Sequence, residues 1–280
     1  MSGPQASRTD RNPQAQMMAD ESMVRNLAMQ AQAIWPQEEP FFARYRLPDR
    51  ARVLDVGCGT GEISARIARH FAGARVTGID VLQGPLDMAR KRYADLASRL
   101  DFQVGDAFHL AFADSTFDLS VCRHMLQAVP DPEKVLAELR RVTKPGGWIH
   151  TVSEDYGMLH MMSGPLDPDR FWQLGPVQFA AKTGTDARFG RRTWSAMRAL
   201  GLQDLRVDYA VVDTLRVARP VFAGIMIAWR DGYADALAEH AGLAAPVIRQ
   251  HFDEIIASIL NPDHYAVWFV PVVSGRVPAG

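Results

Sequence analysis

The chain has 280 residues, 48% of them hydrophobic and 22% charged, which suits one large domain or two modest ones and rules out a disordered polymer. Its 31 Lys and Arg against 32 Asp and Glu leave a net charge of -1, so no overall field draws it to a nucleic-acid backbone or an anionic membrane. Two cysteines, Cys58 and Cys122, make no disulfide framework and stand in no Cys/His pattern with zinc spacing; a reducing, cytoplasmic setting and no metal centre are expected.

Residues 1–16 have no apolar core and no small-residue cleavage pattern, and are read as a flexible leader without a secretory signal. Residues 17–50 are read as a helical lid, because Met23, Val24, Leu27, Ala31 and Ile34 recur at helical spacing until Pro36 stops the pattern. From Arg52 strand and helix alternate. Residues 52–56 form a buried strand, followed at once by Gly57-Cys58-Gly59-Thr60-Gly61 and a helix with Ile63, Ile67 and Phe71 inward. Further strands are predicted at 74–79, 101–104, 117–122 and 148–152, with helices opened by Gly84-Pro85 and by Asp131-Pro132. Repeated βα units with short connections specify an α/β doubly wound parallel sheet with helices on both faces.

Residues 156–280 are predicted to complete the sheet. A helix at 193–200 ends at Gly201, a sixth strand spans 205–215, and a last strand spans 265–273. Between these two strands, apolar stripes through Phe222, Met226 and Trp229 and through Ile248, Phe252 and Ile259 mark two helices. They are expected to cover a small substrate or to make a homodimer contact. The strongly apolar part, residues 221–229, is far below the ~18–20 residues a membrane span needs.

A glycine turn between a strand and a helix lets backbone N–H groups approach a ligand closely. Here the spacing is Asp55-x-Gly57-x-Gly59-x-Gly61, with an acid placed where it would repel a pyrophosphate and hold an ammonium. Asp80, at the end of the next strand, can take both hydroxyls of a ribose, and Asp106, at the third strand's end, can accept from the amine of a base. Each acid alone could be a turn former. Three at successive strand ends, on the side where open α/β sheets bind ligands, point to one nucleoside-bearing ligand.

Residues 53–61, Gly78-Ile79-Asp80, Gly105-Asp106-Ala107 and residues 139–147, ending Lys144-Pro145-Gly146-Gly147, resemble the class I S-adenosylmethionine-dependent methyltransferases, in the subgroup of ubiquinone and menaquinone methyltransferases and other small-molecule enzymes. The match covers about residues 51–155. The resemblance implies a Rossmann-like seven-stranded sheet with the last strand antiparallel and S-adenosyl-L-methionine as cofactor. It implies that Gly57, Gly59 and Gly61 pass over the methionine and ribose, that Asp55 lies near the amino group, that Asp80 binds the ribose and that Val81 packs on the adenine. Asp106 and the Ala107 backbone would read the adenine edge. Residues 122–125 would line the methionine, with Arg123 pairing either its carboxylate or a surface acid, and Cys58 would be packing.

With the reactive methyl supplied by the cofactor, the protein has to align an acceptor and exclude water. His124 is the first candidate for a base, with Tyr156 and His160 next; Asp155, Met125, Trp35 and Trp172 are candidates for the substrate wall. The expected reaction is methyl transfer to nitrogen or oxygen of a small metabolite. Two other readings stay open: the same fold and cofactor put to a non-methylating step or a binding role, and an NAD-dependent oxidoreductase, against which the GxGxG spacing and Asp106 argue.

Overall fold

Strands that are apolar along their whole length bury both faces, and in this chain they assemble into a parallel sheet. The computed structural model describes residues 21–162 and 164–279; the predicted leader 1–16 and the first part of the lid, residues 17–20, lie outside the described residues. The strands are β1 (Arg52–Val56), β2 (Arg75–Asp80), β3 (Leu100–Val104), β4 (Phe117–Arg123), β5 (Thr143–Val152), β6 (Leu159–Met161), β7 (Gln203–Asp213) and β8 (Ala266–Arg276). Side by side they run β3, β2, β1, β4, β5, β8, β7. The first five are mutually parallel, and β8 is antiparallel to β5 and to β7.

The expected sheet with its last strand antiparallel is present, and a short eighth strand joins the seven expected. β6 continues along β8 where β5 stops: Val152 pairs with Val272, and Leu159 pairs with Trp268. Three residues carry too little periodicity to be read as a strand.

The helices are α1 (Glu21–Phe42), α2 (Glu62–His70), α3 (Gln83–Arg92), α4 (Pro132–Val142), α5 (Pro168–Trp172), α6 (Gln178–Lys182), α7 (Thr193–Ala199), α8 (Arg219–Ala241) and α9 (Ala245–Leu260). One π-helical turn, Gln173–Val177, joins α5 to α6. Ile63, Ile67, Leu86 and Ala89 of α2 and α3 share a core with α1 on one face of the sheet, and Val135, Leu136, Leu139 and Met197 of α4 and α7 pack on the other. Phe222, Ile225 and Met226 of α8 pack with Ile248, Phe252 and Ile255 of α9 in a third core beside β8. α8 also lies along α1, and Arg25 joins Asp231 at 3.0 Å. None of the helices among the described residues is long and apolar enough to cross a membrane.

α1 does not stop at Pro36; it runs through Pro36 and Pro40 to Phe42. Both prolines are exposed, at helical spacing from exposed Gln32, so the carbonyls they leave without an amide partner face water. The opposite face, with Ile34, Trp35, Glu38 and Phe42, is buried and holds the helix together past the breaks. Asp131 does precede α4, yet its side chain accepts from Lys134 at 2.7 Å and caps no backbone amide.

The buried Glu38 is what ties α1 to the sheet. Its two oxygens accept from Arg123 Nε and Nη2, at the end of β4, at 2.8 and 2.6 Å. Oε1 also meets His150 Nε2 at 2.8 Å, and His150 Nδ1 lies 2.5 Å from the Tyr45 hydroxyl. Burial alone would raise the Glu38 carboxyl, but Arg123 and His150 together outweigh it and lower the carboxyl from 4.5 to about 2. The carboxylate therefore stabilises the fold above its unfolded value, and the contribution is lost as pH falls from 4.5 towards 2. Replacing Glu38 with Ala is expected to cost about 3–5 kcal/mol in urea unfolding, because a guanidinium is left buried without its anion. The pH dependence of wild-type stability below 4.5 should be shallower in Glu38→Gln.

Candidate functional site

The carboxyl ends of β1, β2, β3 and β4 open on one cleft, lined by Gly57, Gly59, Asp80, Val81, Asp106, Ala107, Arg123, His124 and Met125. The cleft continues under Leu27 into a recess lined by Gln30, Asp55 and Thr60. Met23 and Leu27 of α1 roof it.

The glycine loop works by left-handed backbone. Gly57, Gly59 and Gly61 have φ of 75°, 52° and 76°. A Cβ on Gly59 would lie 2.7 Å from Leu27 Cδ1, so loop and roof touch at that point. Gly61 stands a step back from the cleft: it precedes the first turn of α2, and a Cβ there would lie 2.6 Å from Phe102 Cζ. Its role is close packing of helix on sheet, not ligand contact.

Asp80 holds the loop while facing the cleft. Its Oδ2 accepts from Gly59 N–H at 2.9 Å and its Oδ1 from Leu82 N–H at 3.0 Å. Burial raises its carboxyl, and those backbone donors hold the rise back. Asp106 accepts from Phe108 N–H at 2.9 Å at the far end of the same cleft. Asp55 is buried with the Ser64 hydroxyl 2.6 Å from Oδ2, and burial raises it from 3.8 to about 6 against that hydrogen bond. Cys58 is buried and its thiol is pushed well up by burial, which makes it packing and not a nucleophile.

His124 sits just past β4 at φ 54°, a conformation that costs a non-glycine residue energy and is retained where the surroundings hold it. Its backbone N–H donates to Val152 C=O at 2.7 Å. Its Nδ1 lies 2.7 Å from Glu154 Oε1, and both side chains are buried. With Glu154 Oε1 as acceptor Nδ1 is the donor, and in a neutral ring Nε2 is then the acceptor. That Nε2 is buried without a partner, and so is Glu154 Oε2. A carboxylate orienting an imidazole with its second nitrogen open is the geometry of a general base.

Several other candidates stand elsewhere. Arg123 lines the cleft but spends Nε and Nη2 on Glu38, which corrects the choice between cofactor carboxylate and surface acid: its partner is a buried acid of α1. Asp155 is buried, bonded through both oxygens to Arg191 and accepting from Gly157 N–H at 2.9 Å, so it clamps the loop after β5 and does not face a substrate. His160 points outward with 55% of its side chain exposed, because alternate residues of β6 face opposite sides and Leu159 takes the inner one. Trp35 packs in the core of α1 against Phe42, ring centroids 5.4 Å apart. Tyr156 and Trp172 do come together, 5.9 Å between rings, in a separate narrow chamber with Trp229. Burial pushes the Tyr156 phenol up, so it stays protonated and is no base.

Leu27, Gln30 and Thr60 were not legible as site residues. Gln30 Oε1 and Thr60 Oγ1 are buried in the recess without partners. Glu154 lies in the segment singled out after β5, but its hydrogen bond to His124 spans thirty positions and leaves no local pattern.

A family model described as a methyltransferase domain matches residues 54–151. The 100 residues that align with the ubiquinone/menaquinone biosynthesis C-methyltransferase UbiE of Desulfotalea psychrophila are 44% identical, covering 36% of this chain and 40% of that one. Residues 54–151 are a class I S-adenosylmethionine-dependent methyltransferase domain. A second relative, the ubiquinone biosynthesis O-methyltransferase of Hydrogenovibrio crunogenus, is 29% identical over 154 residues, 49% of this chain and 63% of its own. The chain thus spans less than two thirds of the length of either relative. Among solved structures, the [4+2]-cyclase SpnF shares the fold, with a TM-score of 0.57 and 23% identity over 87% of this chain and 82% of that chain. The matched residues end at Thr151 in β5, so Glu154, α8 and α9 lie outside them.

If His124 and Glu154 act as one unit, His124→Ala and Glu154→Gln should each lower turnover by about 10²–10⁴, and the double variant should lose no more than the worse single one. Multiplying losses in single-turnover kinetics would separate the two.

Proposed function

We propose that the chain binds S-adenosyl-L-methionine in the cleft and transfers its methyl group to an oxygen or nitrogen of a small-molecule acceptor. The observation that carries this is the unpartnered Nε2 of His124, oriented by Glu154 and set in the wall of the glycine-loop cleft. The residues present fit the cofactor. Asp80 and Asp106 offer carboxylate oxygens for ribose and base, and the recess offers Asp55, Gln30 Oε1 and Thr60 Oγ1, polar atoms that suit the charged end of a methionine.

When bound, the cofactor supplies an electrophilic methyl on a sulfonium. The protein's own residues hold the two reactants and keep water out, with Met23 and Leu27 as the roof. Nε2 takes the proton that an acceptor hydroxyl gives up, and Glu154 stabilises the resulting imidazolium. The apolar residues of α8 and α9 are used on α1, on each other and on β8, which favours a covering role for these helices over a homodimer contact. Two buried free cysteines suit a reducing, cytoplasmic setting.

A second reading, the same fold and cofactor in a non-methylating step, is favoured by the cyclase whose fold this chain shares. Calorimetry with S-adenosylmethionine and S-adenosylhomocysteine, then mass spectrometry for a gain of one methyl on a metabolite extract, tests both. Binding with a methylated product supports methyl transfer, binding without one supports the second reading, and absence of binding rejects both. Asp80→Ala is expected to weaken cofactor affinity by at least about tenfold through lost charge-assisted hydrogen bonds. If Asp55 must be ionised to meet the ammonium, affinity should rise about tenfold between pH 5 and 7 and the rise should vanish in Asp55→Asn.

A further inference from the structure

We propose that Gln30 is a positioning residue whose side-chain amide links the amino-acid end of the cofactor to the His124–Glu154 pair. The proposal rests on the reading of the cleft as the cofactor site.

Gln30 belongs to α1, three residues after Leu27 and seven after Met23, so the three share one helix face over the cleft. Gln30 is buried, and the two ends of its amide serve different parts of the site. Nε2 donates to Glu154 Oε1 at 3.5 Å, and the same oxygen lies 2.7 Å from His124 Nδ1. With Glu154 Oε1 as the acceptor, the amide nitrogen faces the pair and the carbonyl oxygen is left for the recess. That Gln30 Oε1 is buried without a partner among the described residues, in a recess lined also by Asp55, Thr60 and His124. The recess opens off the cleft, with Leu27, Gly57 and His124 common to both.

An ammonium in the recess finds three oxygens able to accept from it: Gln30 Oε1, the Asp55 carboxyl and the unpartnered Thr60 hydroxyl. Donation to Gln30 Oε1 polarises the amide and makes its N–H a stronger donor toward Glu154, because hydrogen bonds in a chain strengthen one another. At 3.5 Å the N–H···O contact is at the long end of the range and has room to shorten. A shorter bond holds Glu154 Oε1 in place for His124 Nδ1, so occupancy of the recess steadies the imidazole. Gln30 and Glu154 both lie outside residues 54–151, and the link is therefore added to the methyltransferase domain by the segments on either side of it.

The test compares S-adenosylhomocysteine with methylthioadenosine, a nucleoside thioether that lacks the amino-acid end, in wild type and in Gln30→Met. That substitution keeps the length of the side chain and removes both hydrogen-bonding groups. In calorimetric titration it should weaken S-adenosylhomocysteine by about tenfold or more and leave methylthioadenosine within about twofold. The second measurement is the nitrogen NMR resonance of His124 Nδ1 at saturating ligand, assigned by its loss in His124→Ala. In wild type the resonance should differ between the two loaded forms, and in Gln30→Met it should be the same in both. Should Gln30→Met not fold, Gln30→Leu takes its place with the same expectations. Equal weakening of both nucleosides is the result of a merely structural role and overturns the proposal. Unchanged S-adenosylhomocysteine affinity in the variant, a wild-type resonance insensitive to the amino-acid end, or a difference that persists without Gln30 overturns it as well. If wild type binds neither nucleoside, the cleft reading fails instead.

Discussion

A carboxylate, a guanidinium and an imidazole, all buried between α1 and the sheet, hold the upper part of the molecule in place. Glu38 comes from the helix, Arg123 from the end of β4 and His150 from β5. Such a set is costly to desolvate and is tolerated only where every member is paired. Here the pairing has a geometric result. Arg123 is followed directly by His124, so the contact that anchors α1 also fixes the residue before the imidazole. Roof and imidazole are positioned by one interaction, and the buried face it anchors carries the helix as a single piece through two prolines.

The arrangement divides labour between the two halves of the chain. The βα half supplies the cleft: the left-handed glycine loop and an acid at the end of each of three strands. The other half supplies the helices that cover the sheet's far end. α8 and α9 bury their apolar stripes against α1 and β8, and α5, α6 and α8 set the aromatic walls. Glu154 stands at the seam, hydrogen-bonded to His124.

Local signals made the sheet and the cleft legible. Asp55, Asp80 and Asp106 fall at strand ends because short βα connections put every such end on one side, and strand periodicity alone locates them. Arg123 and Asp155 pair with Glu38 and Arg191, 85 and 36 positions away, which no local pattern announces. Trp35 and His160 turn away from the site for another reason: nothing local says which of two faces a side chain takes. Pro36 misled in the opposite sense, since a rule about backbone hydrogen bonds has no knowledge of a face turned to water. Glu154 needed the fold before its bond to His124 existed at all.

The contact between Gly59 and Leu27 has a consequence for variation. A side chain at position 59 would occupy the space that Leu27 already fills, 2.7 Å away, and a smaller residue at 27 would open the cleft to solvent above the loop. One position lies in a loop of the methyltransferase domain and the other in a helix outside the matched residues. The two are therefore constrained as a pair: α1 and the glycine loop have to change together, and a roof taken from another chain will seat only on the loop it was shaped for.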